Sequence, residues 1–229
     1  MPGIRRDWRT VIRHGLPQQA AWKHSDHPTY LIKRQEMSPN CKVSILDIPF
    51  CTIECSEVLS QIHTWHNRRK CGIISLVNPH SIMVARQDPG MDKALHYASL
   101  ILADGIGITL ASRILGGPVV RRIIGPELML RLCEWSQYYG YSHFFYGGIP
   151  GVAEQLAQKL TSIYPNIKIA GTYCPPFHDI TPDQDQEIIR TINACKPDIV
   201  WVGLGAPKQE KWISDHRGQI HATAIIGVG

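Results

Sequence analysis

A chain of 229 residues, 44% apolar and 19% charged, is long enough for one large α/β domain with a substantial core, and its composition excludes wholesale disorder. No apolar run approaches the roughly 18 to 20 residues of a membrane-spanning helix, and the polar start MPGIRRDWRT lacks the apolar stretch of a secretory signal, so a cytoplasmic location is expected. The formal charge of +5 sits at the front: residues 1–40 hold seven basic and three acidic side chains and read as a basic, solvated extension, with no nucleic-acid partner expected.

From residue 41 to residue 229 the pattern alternates between strand and helix. KVSILDI reads as a strand, CSEVLSQIHTWHN as a helix with apolar positions at Val58, Leu59, Ile62 and Trp65, and GIISLVN as a second strand. MDKALHYAS is helical and leads into the short strand LILA; IGITLASRIL is helical up to the Gly116-Gly117-Pro118 stop. GPELMLRLCEWSQYYG carries Pro126 near a helix start and Gly140 past its end. The strands SHFFYG, IKIAGTY and DIVWVGLG are each followed by a helix, and ATAIIGVG is a last strand. Repeated β-then-α units with continuously apolar strands predict a doubly wound, mostly parallel, Rossmann-like sheet covered by helices on both faces. The last strand, with no helix after it, is expected to leave a sheet face bare for a further segment or for a second copy in a homo-oligomer.

In this architecture ligands bind beyond the carboxyl ends of the strands, where helix N-termini present free N–H groups. Asp104 ends LILA and is followed by Gly105 and Gly107, which marks either an active-site edge or a plain turn, since Asp-Gly is a favoured turn pair. Asn78, before Pro79, is a turn former, a helix cap or a site residue. Gly147 and Gly148 sit in a strand-to-helix turn able to cradle a diphosphate, and Arg121 with Arg122 form a possible anion clamp. In GLGAPKQE, Lys208 suits a phosphate and Gln209 a base or sugar hydroxyl, whereas Glu210 fits a solvated first helical turn. The seven cysteines show no CxxC pair or matching histidine cluster, and the DQD at Asp183 to Asp185 opens a helix, so no metal or other cofactor is expected. The GxGxxG fingerprint of a nicotinamide-dependent dehydrogenase is missing after the first strand, and an inactive nucleotide-sugar or partner-binding module is the other alternative.

VNPHSIMVA, ADGIGI, RRIIGPELM, FFYGGIPGVAE, GTYCPPF and VGLGAPKQEKW, in that order, resemble the WecG/TagA/CpsF family of bacterial glycosyltransferases from about Val43 to Gly229. The resemblance implies transfer of N-acetylmannosamine, its uronic acid or a related hexose from a UDP donor to a polyprenyl-diphosphate-linked sugar, in surface polysaccharide synthesis at the inner face of the membrane. It implies Asp104 as the general base with Gly105 and Gly107 leaving room for a sugar, Asn78, Arg122 and Gln209 as residues lining the site, and Gly147 and Gly148 as a substrate-binding glycine turn. Leu76 stands where members often have threonine, which implies a changed polar contact to the donor. The family also implies an aromatic segment and a basic appendage after GVG, absent from these residues.

Overall fold

A computed structural model describes residues 42–176 and 180–229. The basic extension expected over residues 1–40 lies outside them.

Six strands form one parallel sheet: β3 (Gly72–Val77), β4 (Leu100–Ala103), β5 (Ser142–Gly147), β6 (Lys168–Tyr173), β7 (Ile199–Gly203) and β8 (Ala224–Gly227), in the spatial order β4-β3-β8-β7-β5-β6. The KVSILDI segment is not one of them. It folds into an antiparallel hairpin of β1 (Lys42–Ile45) and β2 (Ile48–Cys51), turned by Leu46 and Asp47 at φ 48° and 68°. Two consecutive left-handed residues match the twist of a two-residue hairpin, but Asn-Gly pairs normally supply them, so Leu-Asp gives little warning of the turn.

Eight helices among the described residues cover the sheet: α1 (Cys55–Asn67), α2 (Pro79–Ala85), α3 (Pro89–His96), α4 (Ile106–Ile114), α5 (Gly125–Tyr139), α6 (Val152–Ile163), α7 (Pro182–Ala194) and α8 (Lys208–Asp215). Strand side chains alternate between two buried layers. Ile199, Trp201 and Ile226 join α1, α5 and α6, while Val200, Val202 and Ile225 join α3, α7, α8 and the hairpin. That alternation makes the architecture doubly wound and α/β. Local chemistry sets the helix ends: Pro126 lies in the first turn of α5, Gly140 ends it at φ 73°, and Thr181 with Gln184 closes a capping box on α7.

The sheet face expected to be bare at the last strand is covered. β8 is not an edge but the centre of the sheet, hydrogen-bonded to β3 and β7, and Ala224 to Gly227 are all buried. Adjacency in sequence accounts for only one neighbour, because β8 inserts between β7, the strand just before it, and β3, near the start of the domain.

Candidate active site

The rim at the carboxyl ends of the strands reads, in spatial order, Asp104 after β4, Asn78 after β3, Gly229 near β8, Gly205 to Gln209 after β7, and Gly148 after β5. At about 4.8 Å per strand, the β4 and β5 ends stand roughly 19 Å apart. The rim therefore holds two separate centres.

At the first centre, Val77 and Ala103 are register partners, and the Asp104 N–H donates to the Val77 carbonyl at 2.9 Å, so Asn78 and Asp104 leave the sheet side by side. Asn78 caps α2: its Oδ1 accepts from the Ser81 N–H at 2.9 Å and the Ser81 hydroxyl at 3.2 Å. That use leaves the Asn78 Nδ2 pointing no hydrogen bond at the described residues, so it remains available as a donor. Gly105, at φ 134°, makes the sharp exit from β4. Gly107 does not leave room for a sugar as expected: a Cβ there would lie 2.9 Å from the Pro79 ring, so its missing side chain seats α4 against α2.

Arg122 joins the rim from the segment after α4. After α4 the chain returns to the same rim, where Arg122 forms a parallel bridge with Ala103 and the Ile123 N–H donates to the Ala103 carbonyl at 2.9 Å. The two arginines have different surroundings. Arg121 pairs with Glu54 at 3.0 Å in an exposed contact, whereas Arg122 is exposed with no ion pair among the described residues. Both line a cleft of about 110 Å³ together with Glu54, Cys55 and Glu127.

The β7 loop separates its polar residues sharply. Lys208 is exposed at the first turn of α8, while Gln209 is only 1% exposed. The Gln209 Oε1 accepts from the Gly229 N–H at 2.8 Å, and its Nε2 donates to Glu210 at 3.1 Å. Its side chain lies flat on the end of β8, where a Cβ on Gly227 would come within 2.5 Å of Nε2. Glu210 is not the solvated residue expected. It is buried, one carboxylate oxygen has no partner, and desolvation pushes its pKa above the ordinary glutamate value.

At the second centre, Gly147 (φ 120°) would place a Cβ 2.4 Å from the Gly203 carbonyl, and the Gly148 N–H donates to that carbonyl at 3.0 Å. The glycines thus close β5 against β7, and the Gly148 N–H is spent inside the protein. Glu154 in the first turn of α6 adds negative charge where a diphosphate would need positive potential. Cys174, after β6, donates its thiol to the Gly148 carbonyl at 3.2 Å, a contact no sequence signal announced.

Among the described residues no group of histidine, cysteine or acidic side chains has the arrangement to hold a metal. Asp185 of the DQD segment is engaged by the Trp212 indole and by His216, each at 2.9 Å. The rim offers one carboxylate, an amide donor and a guanidinium at a strand-end crevice, the equipment for moving a proton and steadying an anionic leaving group.

A doubly wound sheet with that rim, taken with the comparisons that follow, defines the protein as a glycosyltransferase. Residues 43–229 match the model of the glycosyl transferase WecG/TagA/CpsF family, and the chain belongs to that family. It is 31% identical, over 85% of its length and 76% of the relative's, to the N-acetylglucosaminyldiphosphoundecaprenol N-acetyl-beta-D-mannosaminyltransferase of Staphylococcus aureus strain NCTC 8325, and 30% identical over the same shares to that of strain MRSA252.

Proposed function

We propose that the protein transfers N-acetylmannosamine or a related hexose from a UDP donor to a polyprenyl-diphosphate-linked sugar, in a single displacement with inversion. The observation that carries the reading is the convergence of Asp104, Asn78 and Arg122 on the paired ends of β3 and β4. Asp104 takes the proton of the acceptor hydroxyl as its oxygen attacks the anomeric carbon. The bond from that carbon to the diphosphate breaks, and UDP departs with the electron pair. Arg122 offsets the charge growing on the diphosphate, and the Asn78 amide orients a sugar oxygen. An α-linked donor inverted once gives a β product, in keeping with the β-mannosaminyl linkage in the relatives' names.

The separation of the two centres supports a reading in which they take different parts of the donor. The sugar and diphosphate lie at Asp104 and Arg122, with Lys208 toward the middle of the rim; the turn of Gly147 and Gly148 is left to the nucleoside end. Gln209 acts by holding the Gly229 backbone in place, not by direct contact with substrate. Work on a lipid-linked acceptor puts the protein at a membrane surface, and no helix among the described residues is long and apolar enough to cross one.

The test is incubation of the purified chain with UDP-N-acetylmannosamine and a short-chain prenyl-diphosphate N-acetylglucosamine. Released UDP and a β-linked disaccharide are expected. UDP binding without turnover would favour the inactive binding module, and an α product would overturn single inversion.

A further inference from the structure

Helix α4 is apolar on two sides. It buries Ile108, Thr109 and Ser112 against the protein, while Ile106, Leu110 and Ile114 are 71%, 55% and 77% exposed. Residues spaced by four lie along one helix face, so these three form a stripe about 12 Å long at 1.5 Å per residue. A helix that folds onto its own domain points its apolar face inward. The outward stripe of α4 is therefore not explained by packing among the described residues. Leu115, 61% exposed, extends it, and so does Leu46, 50% exposed at the left-handed hairpin tip beside the C-terminal end of α4.

The stripe is rooted in the candidate site. Residues 104–121 leave the sheet after Ala103 and return at Arg122, which bridges to that same Ala103. Both feet of this excursion carry the charged groups of the proposed reaction, and its body carries the apolar stripe. Between Gly105 and Arg122 the sequence has three arginines and no acidic residue; Arg121 is paired with Glu54 and Asp47 stands beside Leu46, which leaves Arg113 and Arg122 as the cations without an ion pair among the described residues. Apolar side chains bordered by arginine match the region of a bilayer where acyl chains meet anionic headgroups.

We propose that the outward face of α4, Ile106, Leu110 and Ile114, inserts into the surface of an anionic bilayer and so sets Asp104 at the level of a lipid-borne diphosphate. The relevance to catalysis rests on the proposed acceptor being lipid-linked; the surface itself rests on exposure and charge.

The test is co-sedimentation of the full chain with phosphatidylcholine vesicles containing about one third phosphatidylglycerol. The parent protein binds them, and Leu110→Glu/Ile114→Glu is expected to bind about tenfold or more weakly with its thermal melting unchanged. The milder Leu110→Ser/Ile114→Ser pair gives the same direction if the charges disturb folding. Transfer to a short-chain, water-soluble acceptor stays at the parent level, while transfer to an undecaprenyl acceptor in the vesicles falls about tenfold. Vesicle binding equal to the parent's, as attachment through the basic residues 1–40 alone would give, overturns the proposal. So does a double variant that only converts a dimer to a monomer, which would make the stripe a contact between copies. Should even the parent transfer no sugar, the proposed reaction fails while vesicle binding still decides the surface.

Discussion

Arg122 is bridged through its backbone to Ala103, the residue immediately before Asp104. Eighteen positions apart in sequence, Asp104 and Arg122 therefore stand on one strand end. The bridge is made by main-chain groups, so either side chain can be replaced without loosening the other's anchor.

Asp104→Asn should retain UDP binding and lower transfer about a hundredfold or more, because the amide cannot accept the hydroxyl proton. Isothermal calorimetry with UDP beside a UDP-release assay measures the two separately. Unchanged turnover would remove Asp104 from the chemistry.

Arg122→Ala should weaken UDP binding about tenfold, with less loss at high salt, where the parent's own electrostatic contact is already screened. Its melting temperature should match the parent's. A loss of stability without a change in affinity would make Arg122 a purely structural residue.

Gly147→Ala and Gly227→Ala separate two kinds of close packing. At Gly147 the new methyl meets the Gly203 backbone at a φ of 120°, whereas at Gly227 it meets the Gln209 side chain. Both should destabilise by about 1–3 kcal/mol or more. Only the second should recover in part when combined with Gln209→Ala, as read by denaturant melts of the four-member cycle.

Glu210→Gln should raise the melting temperature at pH values above the ordinary glutamate range and flatten its fall as pH rises from there. The folded pKa of Glu210 is raised by burial, so its contribution is fully present below the unfolded value and is lost as pH rises through the folded one. The glutamine keeps an acceptor for the Gln209 amide and never ionises. A melting profile parallel to the parent's across the range would show that burial of Glu210 does not shape the pH dependence.

His143 has the opposite sign. It is fully buried between strands, accepts the Trp201 indole N–H at 3.0 Å through Nδ1, and burial pulls its pKa down to about 3. Its contribution is present above the unfolded value, about 6.5, and is lost as pH falls toward the folded one. Stability should therefore decline from about pH 6.5 downward, and His143→Asn, which retains an acceptor, should shallow that decline. An equally steep acid limb in the variant would assign it to other groups.

Much of the fold was legible because helical and strand periodicities were clean: the helix Cys55–Asn67 and the strands Gly72–Val77 and Leu100–Ala103 lie where the pattern puts them. The hairpin was hidden because Leu46 and Asp47 do not look like a turn. In the site, the strand-end positions of Asp104 and Asn78 were readable from where apolar runs stop. The roles of the glycines were not. Gly107 makes space for Pro79, Gly147 for the Gly203 carbonyl and Gly227 for Gln209, and each is a contact between segments that linear spacing cannot reveal.

The place of β8 bears on how the molecule is assembled during synthesis. Among the described residues β3 and β7 do not pair with each other, and in the sheet they are joined through Ala224–Gly227, which the ribosome delivers after both. Until that strand emerges, the half-sheet bearing Asn78 and Asp104 has no fixed distance to the half bearing Lys208. A chain without residues 224–227 would thus expose two unpaired inner edges, which makes β8 the keystone of the sheet.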